Sequence, residues 1–228
     1  MKMKKQLLSL AMLCAVAFAS NAQTEKGNNL IGGSIWYSKD KRTPDNLTAL
    51  NSLNSTNYGI TPRFGHFVSK NLAIGLSVGF NRNKNLNESI FYTGNNTLIT
   101  NSENKSNNFN VGPFVRYYIN IIDKFKFFGQ GNALVAFGKS VSQDGGSLTV
   151  IPRSTKYKTT AYLAAVSPGF AFFPTRHWAF ELSLPLLSYN KYKMKDDGNN
   201  INSQAYKNES FQFGFDSFNP SIGLNYHF

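Results

Sequence analysis

FNPSIGLNYHF, residues 218–228, closes the chain. In an extended strand, Phe218, Pro220, Ile222, Leu224, Tyr226 and Phe228 share one side, and Asn219, Ser221, Gly223, Asn225 and His227 share the other. Side chains alternate faces with period 2, so one face is apolar and the other small or polar. A tilted strand of roughly 9–11 residues is what crosses a bilayer in a β-barrel. A soluble sheet would show the same alternation, so the reading depends on whether the rest of the chain repeats it.

It does. Asn29 to Ser38 puts Ile31, Gly33, Ile35 and Tyr37 on one face. Tyr58, Ile60, Pro62 and Phe64 alternate with Gly59, Thr61, Arg63 and Gly65. In Leu72 to Phe80, large apolar residues alternate strictly with Ala, Gly and Ser. Further strands are predicted over 109–119, 125–138, 159–173 and 178–186, so that the closing strand is the eighth. The connections alternate in length. Val68-Ser69-Lys70-Asn71, Ile122-Asp123-Lys124 and Pro174-Thr175-Arg176-His177 are tight turns. Residues 39–57, 81–107, 139–158 and 189–208 are polar, Asn-rich stretches that read as long loops. Within the second, 89–92 and 97–100 predict a small hairpin over Gly94-Asn95-Asn96. This alternation of loop length predicts an all-β, antiparallel, up-and-down transmembrane β-barrel of eight strands, with short periplasmic turns and long external loops.

Every second strand carries a proline in phase with its apolar face: Pro62, Pro113, Pro168 and Pro220, spaced by 51, 55 and 52 residues. The chain therefore reads as four hairpins of one plan. Proline cannot donate to a ladder, so local bulges or unpaired carbonyls are expected at these positions. Phe211, Phe213 and Phe215 are out of phase with 218–228. A one-residue slip reverses every side chain, which predicts a bulge near Asp216-Ser217 or a segment there that leaves the membrane.

The N-terminus has Lys2, Lys4 and Lys5, an apolar run from Leu7 to Ala19, and Ser20-Asn21-Ala22. That is the build of a secretory signal peptide over residues 1–22, cleaved before Gln23, leaving a single barrel domain over 23–228. The one cysteine, Cys14, leaves with it, which excludes a disulfide scaffold or a Cys-ligated metal site. Of the 24 basic residues three go with the leader, so 21 remain against 12 acidic ones. Export and the scatter of these charges over many short segments argue against nucleic acid as the partner.

Arg63, Arg116, Gln130, Glu181 and Asn225 fall on the inward face. Eight strands enclose a lumen that side chains fill, and buried charges must be paired. Glu181 is therefore expected to meet Arg63, Arg116 or both, as a structural charge cluster rather than a gated path. His66, His177 and His227 lie near the short turns. An outer-leaflet lipid-modifying enzyme would need a His near the external loops, so that class is disfavoured, and no catalytic, metal or cofactor residues are assigned. Fourteen basic residues, from Lys39 to Lys207, lie in or beside the long loops. They could bind lipopolysaccharide phosphates or serve as ordinary solvated charge.

The segments 60–80 (ITPRFGHFVSKNLAIGLSVGF), 111–118 (VGPFVRYY), 167–184 (SPGFAFFPTRHWAFELSL) and the terminal IGLNYHF resemble the porin-like outer membrane protein beta-barrel domain family of Gram-negative bacteria. The architecture is related to the eight-stranded OmpA/OmpX type. The resemblance implies a monomer in the cell outer membrane among lipids including lipopolysaccharide. It also implies a C-terminal signal, carried here by Leu224, Tyr226 and Phe228, for the barrel-assembly machinery. The expected role is a non-enzymatic structural or surface-interaction barrel with basic external loops. A small-solute channel is the alternative.

Overall fold

The computed structural model describes residues 24–43, 50–93, 96–145, 153–198, 205–214 and 220–228. The signal peptide expected over 1–22 and the irregularity expected at Asp216-Ser217 lie outside them. Ten strands follow in chain order. They are β1 (Asn29–Arg42), β2 (Leu50–Ser69), β3 (Leu72–Thr93), β4 (Asn96–Ile122) and β5 (Phe125–Gly145). Then come β6 (Arg153–Phe172), β7 (Trp178–Ser183), β8 (Leu187–Asp196), β9 (Tyr206–Phe213) and β10 (Ser221–His227). Each pairs antiparallel with its neighbours, and the ring closes through β1–β10 and β5–β6. β7 and β8 together occupy the seventh position and β9 and β10 the eighth, so the ring has eight members.

The ring closes firmly at the short-turn end. Asn29 donates to the Phe228 carbonyl at 2.6 Å, and Phe228 donates back to Asn29 at 2.9 Å. The β2–β3 turn is held by Asn71 in a left-handed conformation at φ 64°, which Asn tolerates better than most residues. The outward face carries Ile31, Ile35, Ile60, Phe64, Leu76, Val115, Phe180 and Leu224, all exposed, with Tyr37, Tyr58, Tyr117 and Trp178 near the strand ends. The inward face carries Arg63, Arg116, Gln130, Glu181 and Asn225, all buried. Such an inside-out distribution has no hydrophobic return in water and fits a band of lipid with aromatic girdles.

The long loops expected at 39–57, 81–107, 139–158 and 189–208 are instead largely hydrogen-bonded ladder. β3 and β4 pair from Leu72↔Tyr117 to Thr93↔Asn96, and residues 94–95 of the expected turn lie outside the described residues. β5 and β6 pair as far as Asp144↔Arg153, and β8–β9 takes up most of the final polar stretch. At about 3.4 Å per residue, the 13 residues of β3 beyond Phe80 extend roughly 44 Å past the apolar band. Polar residues on both faces hide these strands from a hydropathy pattern while their backbones pair without interruption.

Three of the four prolines interrupt pairing toward the strand that follows in the ring, and the fourth, Pro220, lies just before β10. Between β2 and β3 the ladder skips from Ile60↔Phe80 to Arg63↔Ser77 with no change of register. Between β4 and β5 it skips from Val111↔Val135 to Phe114↔Asn132, again unshifted. These are gaps, not bulges. At Pro168 there is a bulge, because Gly169↔Ser183 gives way to Val166↔Leu187 with one extra residue on the partner side. Leu184 and Leu186 donate there to the carbonyls of Pro168 and Val166. At Pro220 the β10–β1 ladder stops after Ile222↔Ile35. Among the described residues β9 pairs with β8 alone, and β1 above Ile35 pairs with β2 alone.

Candidate functional site

Two places concentrate chemistry: the filled lumen and a row of cations on the outer face. In the lumen, Arg116 is fully buried and its Nη1 lies 2.5 Å from Glu181 Oε1, while Arg63 Nη1 lies 3.5 Å from Glu181 Oε2. Arg116 Nε donates to Gln130 Oε1 at 2.8 Å, and Arg63 reaches the same oxygen at 3.3 Å and Ser34 Oγ at 2.9 Å. Tyr118 donates its hydroxyl to Glu181 at 3.3 Å and accepts from Arg116 at 2.9 Å. Strands β1, β2, β4, β5 and β7 thus contribute to one network, and a carboxylate bridging two guanidiniums is the arrangement that buried charge requires.

Below the network, toward the short turns, buried aromatic side chains pack into a floor. The Arg116 guanidinium lies 4.3 Å from the Phe128 ring centroid, within cation–π range. Tyr118 packs against Phe67, Phe128, Phe173 and the His227 ring at centroid separations of 5.8–6.5 Å. The small inward residues make this filling possible. A Cβ on Gly75 would come within 2.7 Å of the Phe114 ring, and one on Gly169 would collide with the Phe128 ring. At the mouth, Lys126 donates to Thr24 Oγ1 at 2.7 Å, and Thr24 donates to Asn71 Oδ1 at 2.5 Å. Sequence reasoning missed Tyr118, Phe128 and Lys126 as members of this plug. Tyr118 lies two residues from Arg116 on the same face, a signal that was present.

On the outer face, one ladder line runs from Lys139 to Lys158 to Lys195 across β5, β6 and β8. All three side chains are exposed. One step away Lys193 stands opposite Lys207. Asp197 pairs with Lys158 at 2.5 Å, and Lys191 pairs with Glu209. On the β3–β4 hairpin the same problem is answered differently: Lys84 and Lys105 are directly opposite, and Glu103 contacts them at 2.9 and 2.5 Å. These two ammonium groups hold the Glu103 carboxyl below the usual carboxylate range, and Lys158 does the same for Asp197.

The remaining residues singled out from sequence are dispersed. His66 is exposed on the outside, where it contacts Asn29 at 2.9 Å, whereas His227 is fully buried inside. The three imidazoles therefore do not converge. Leu224 and Tyr226 lie on the outward phase of β10, and Tyr226 packs on His177, Trp178 and Phe228 at 5.0–6.0 Å.

A closed antiparallel ring with charges inside and an apolar belt outside defines a transmembrane β-barrel. The chain belongs to the outer membrane protein beta-barrel domain family, whose model matches residues 7–217, and its place is the cell outer membrane. Among solved structures it is similar to the outer membrane protein OprG from Pseudomonas aeruginosa (13% identity, 90% of this chain and 97% of that one, TM-score 0.45). It is also similar to Ail, the attachment invasion locus protein of Yersinia pestis, solved with the heparin analogue sucrose octasulfate (14%, 89% and 99%, TM-score 0.33). A third is the N-terminal β-barrel domain of Pseudomonas aeruginosa OprF (10%, 90% and 100%, TM-score 0.32). No curated protein matches the chain.

Proposed function

We propose that this barrel is a non-enzymatic surface-interaction protein whose outer cation row holds anionic phosphates of the outer leaflet, lipopolysaccharide included. The observation that carries this reading is the direct cross-strand alignment of Lys139, Lys158 and Lys195. Like charges directly opposite in a sheet are destabilising, and Asp197 contacts only the middle one. An external phosphate would offset the remaining repulsion. Each lysine near an anionic membrane surface is worth about 1 kcal/mol. The buried Arg63–Glu181–Arg116 network and the aromatic cluster fill the lower lumen among the described residues, which supports an interaction role over conduction.

The test compares the wild-type barrel with K139Q/K158Q/K195Q for binding to vesicles containing lipopolysaccharide. Weaker binding by the variant, by roughly tenfold or more, together with a shallower salt dependence, is the expected result. Equal binding by both, or equal binding to dephosphorylated lipopolysaccharide, would remove the reading. The exposed Leu224 and half-buried Tyr226 beside the terminal Phe228 also support a role for this strand as the signal for the barrel-assembly machinery. Deleting Phe228 is expected to lower the fraction recovered folded in the outer membrane, and full recovery would count against that role.

A further inference from the structure

Two neighbouring ladder lines cross the outer face of β3–β6. Phe80, Phe109 and Phe137 stand directly opposite one another on β3, β4 and β5, and all three are exposed. Two residues further up each strand, Arg82, Asn107, Lys139 and Lys158 form the next line, exposed as well. The period of 2 along a strand keeps Phe80 with Arg82, Phe109 with Asn107 and Phe137 with Lys139 on one face. Two residues span about 7 Å, so the surface passes from three rings to a line of cations within that distance. A groove of about 500 Å³ covers the step, lined by all three phenylalanines and by Lys139 and Lys158.

Both lines together decide what fills the groove. The rings continue the apolar belt that faces lipid, so their neighbour is a lipid or another membrane-embedded protein. A second copy seated here in a two-fold contact would set Lys139 and Lys158 against the same two lysines, and like charges at close range repel. A phosphate-bearing lipid meets both halves of the groove, its acid group on the lysines and its hydrocarbon on the rings. The volume lies within the range of small-molecule sites. Lipid tails are as apolar as the side chains they touch, so the rings contribute close packing rather than a hydrophobic gain. The lysines supply charge-assisted contacts to the phosphate.

We infer that this groove seats one phosphate-bearing lipid, its phosphate between Lys139 and Lys158 and an acyl chain across Phe137, Phe109 and Phe80. The inference rests on the reading of the lysine row as a phosphate site and adds the hydrocarbon half of the ligand. It makes the row a discrete site for an acylated phosphate on the β3–β6 side of the ring, not a general attraction to an anionic surface or to free phosphate.

The barrel in a neutral, phosphate-free detergent is titrated with three probes of one skeleton and read by native mass spectrometry. They are dimyristoyl phosphatidic acid, dimyristoylglycerol, which lacks the phosphate, and glycerol 3-phosphate, which lacks the chains. Saturation at one phosphatidic acid per barrel is expected, with neither of the other two retained. F80A/F109A/F137A should weaken that binding about fivefold or more, and so should K139Q/K158Q, each keeping the heat-dependent gel shift of a folded barrel. If the triple variant does not fold, F137A takes its place. Loss in K139Q/K158Q with full binding in the folded Phe variant, or equal retention of glycerol 3-phosphate, would overturn the lipid seat while the phosphate reading stands. Unchanged binding in K139Q/K158Q would overturn both. A lipid-free dimer, or uptake of phosphatidic acid without saturation, would also overturn the seat.

Discussion

The two halves of this barrel solve the closure problem differently. Near the short turns, all eight positions are hydrogen-bonded around the ring, and the lumen is packed with one charge network and a set of rings. Above Ile35 and Ile222 the described strands of β1 and β9 no longer pair with each other, and the interior holds a polar cavity. The lower half has every incentive to close, because an unpaired backbone group facing lipid costs several kcal/mol. The upper strands carry Lys, Asn and Ser on their outward faces. There, beyond the lipid, water can satisfy backbone groups that the ladder does not. The fourth proline differs from the other three in position, since it precedes the first residue of β10.

The contrast is most strongly tested at Glu181. E181L would leave two buried guanidiniums without a carboxylate, at a cost of about 3–5 kcal/mol. Urea unfolding of the reconstituted barrel should show a large fall in midpoint, largely restored in R63M/R116L/E181L. A single variant as stable as wild type would mean the network contributes nothing to the lower half. G169V comes next. Its side chain must enter space held by the Phe128 ring and the Leu182 carbonyl, the latter 2.6 Å from an added Cβ. Overpacking of this kind costs about 1–3 kcal/mol, whereas K84Q in the upper half should stay within about 0.5 kcal/mol.

Hydrogen exchange addresses the seam itself. Amides of β1 between Leu30 and Ile35 should be strongly protected, while those of Trp36–Arg42 that point away from β2 should exchange freely. Equal protection across both segments would show the seam closed throughout. The smallest effect concerns Glu103. Its carboxyl titrates below the usual range because Lys84 and Lys105 favour the ionised form. Its contribution is therefore present in full above the ordinary carboxylate pKa and is lost only as the pH falls through the lower, folded value. A carboxyl NMR titration should find Glu103 still ionised where exposed glutamates elsewhere are half protonated. A midpoint in the ordinary range would show the bridge is not formed in solution.

Much of the membrane-crossing part was legible because burial and lipid contact leave a period-2 trace in hydropathy. Leu72–Phe80 and Ile222–Phe228 announce their faces residue by residue, and once the phase is set the inward position of Arg63, Arg116 and Glu181 follows. The outer ladders left no such trace. At residues 81–107 both faces are polar, so hydropathy reads as loop although the backbone pairs to the tip. The aromatic floor was half visible: Tyr118 shares a face with Arg116, but its contact with Phe67 and Phe173 joins strands far apart in sequence. The polar cavity of the upper lumen was invisible, since isolated asparagines in Asn-rich segments look alike until the ring places Asn81, Asn83, Asn108, Asn110 and Asn190 around one space.

The sequence by itself determined a period-2, eight-position barrel with greasy exterior and paired interior charge, because alternation is a local property that each strand carries alone. The tertiary structure decided how far the ladders run, where prolines open gaps or bulges, which strands meet at the seam, and which asparagines line the upper cavity. Those depend on register between strands, and register is set by partners tens of residues away.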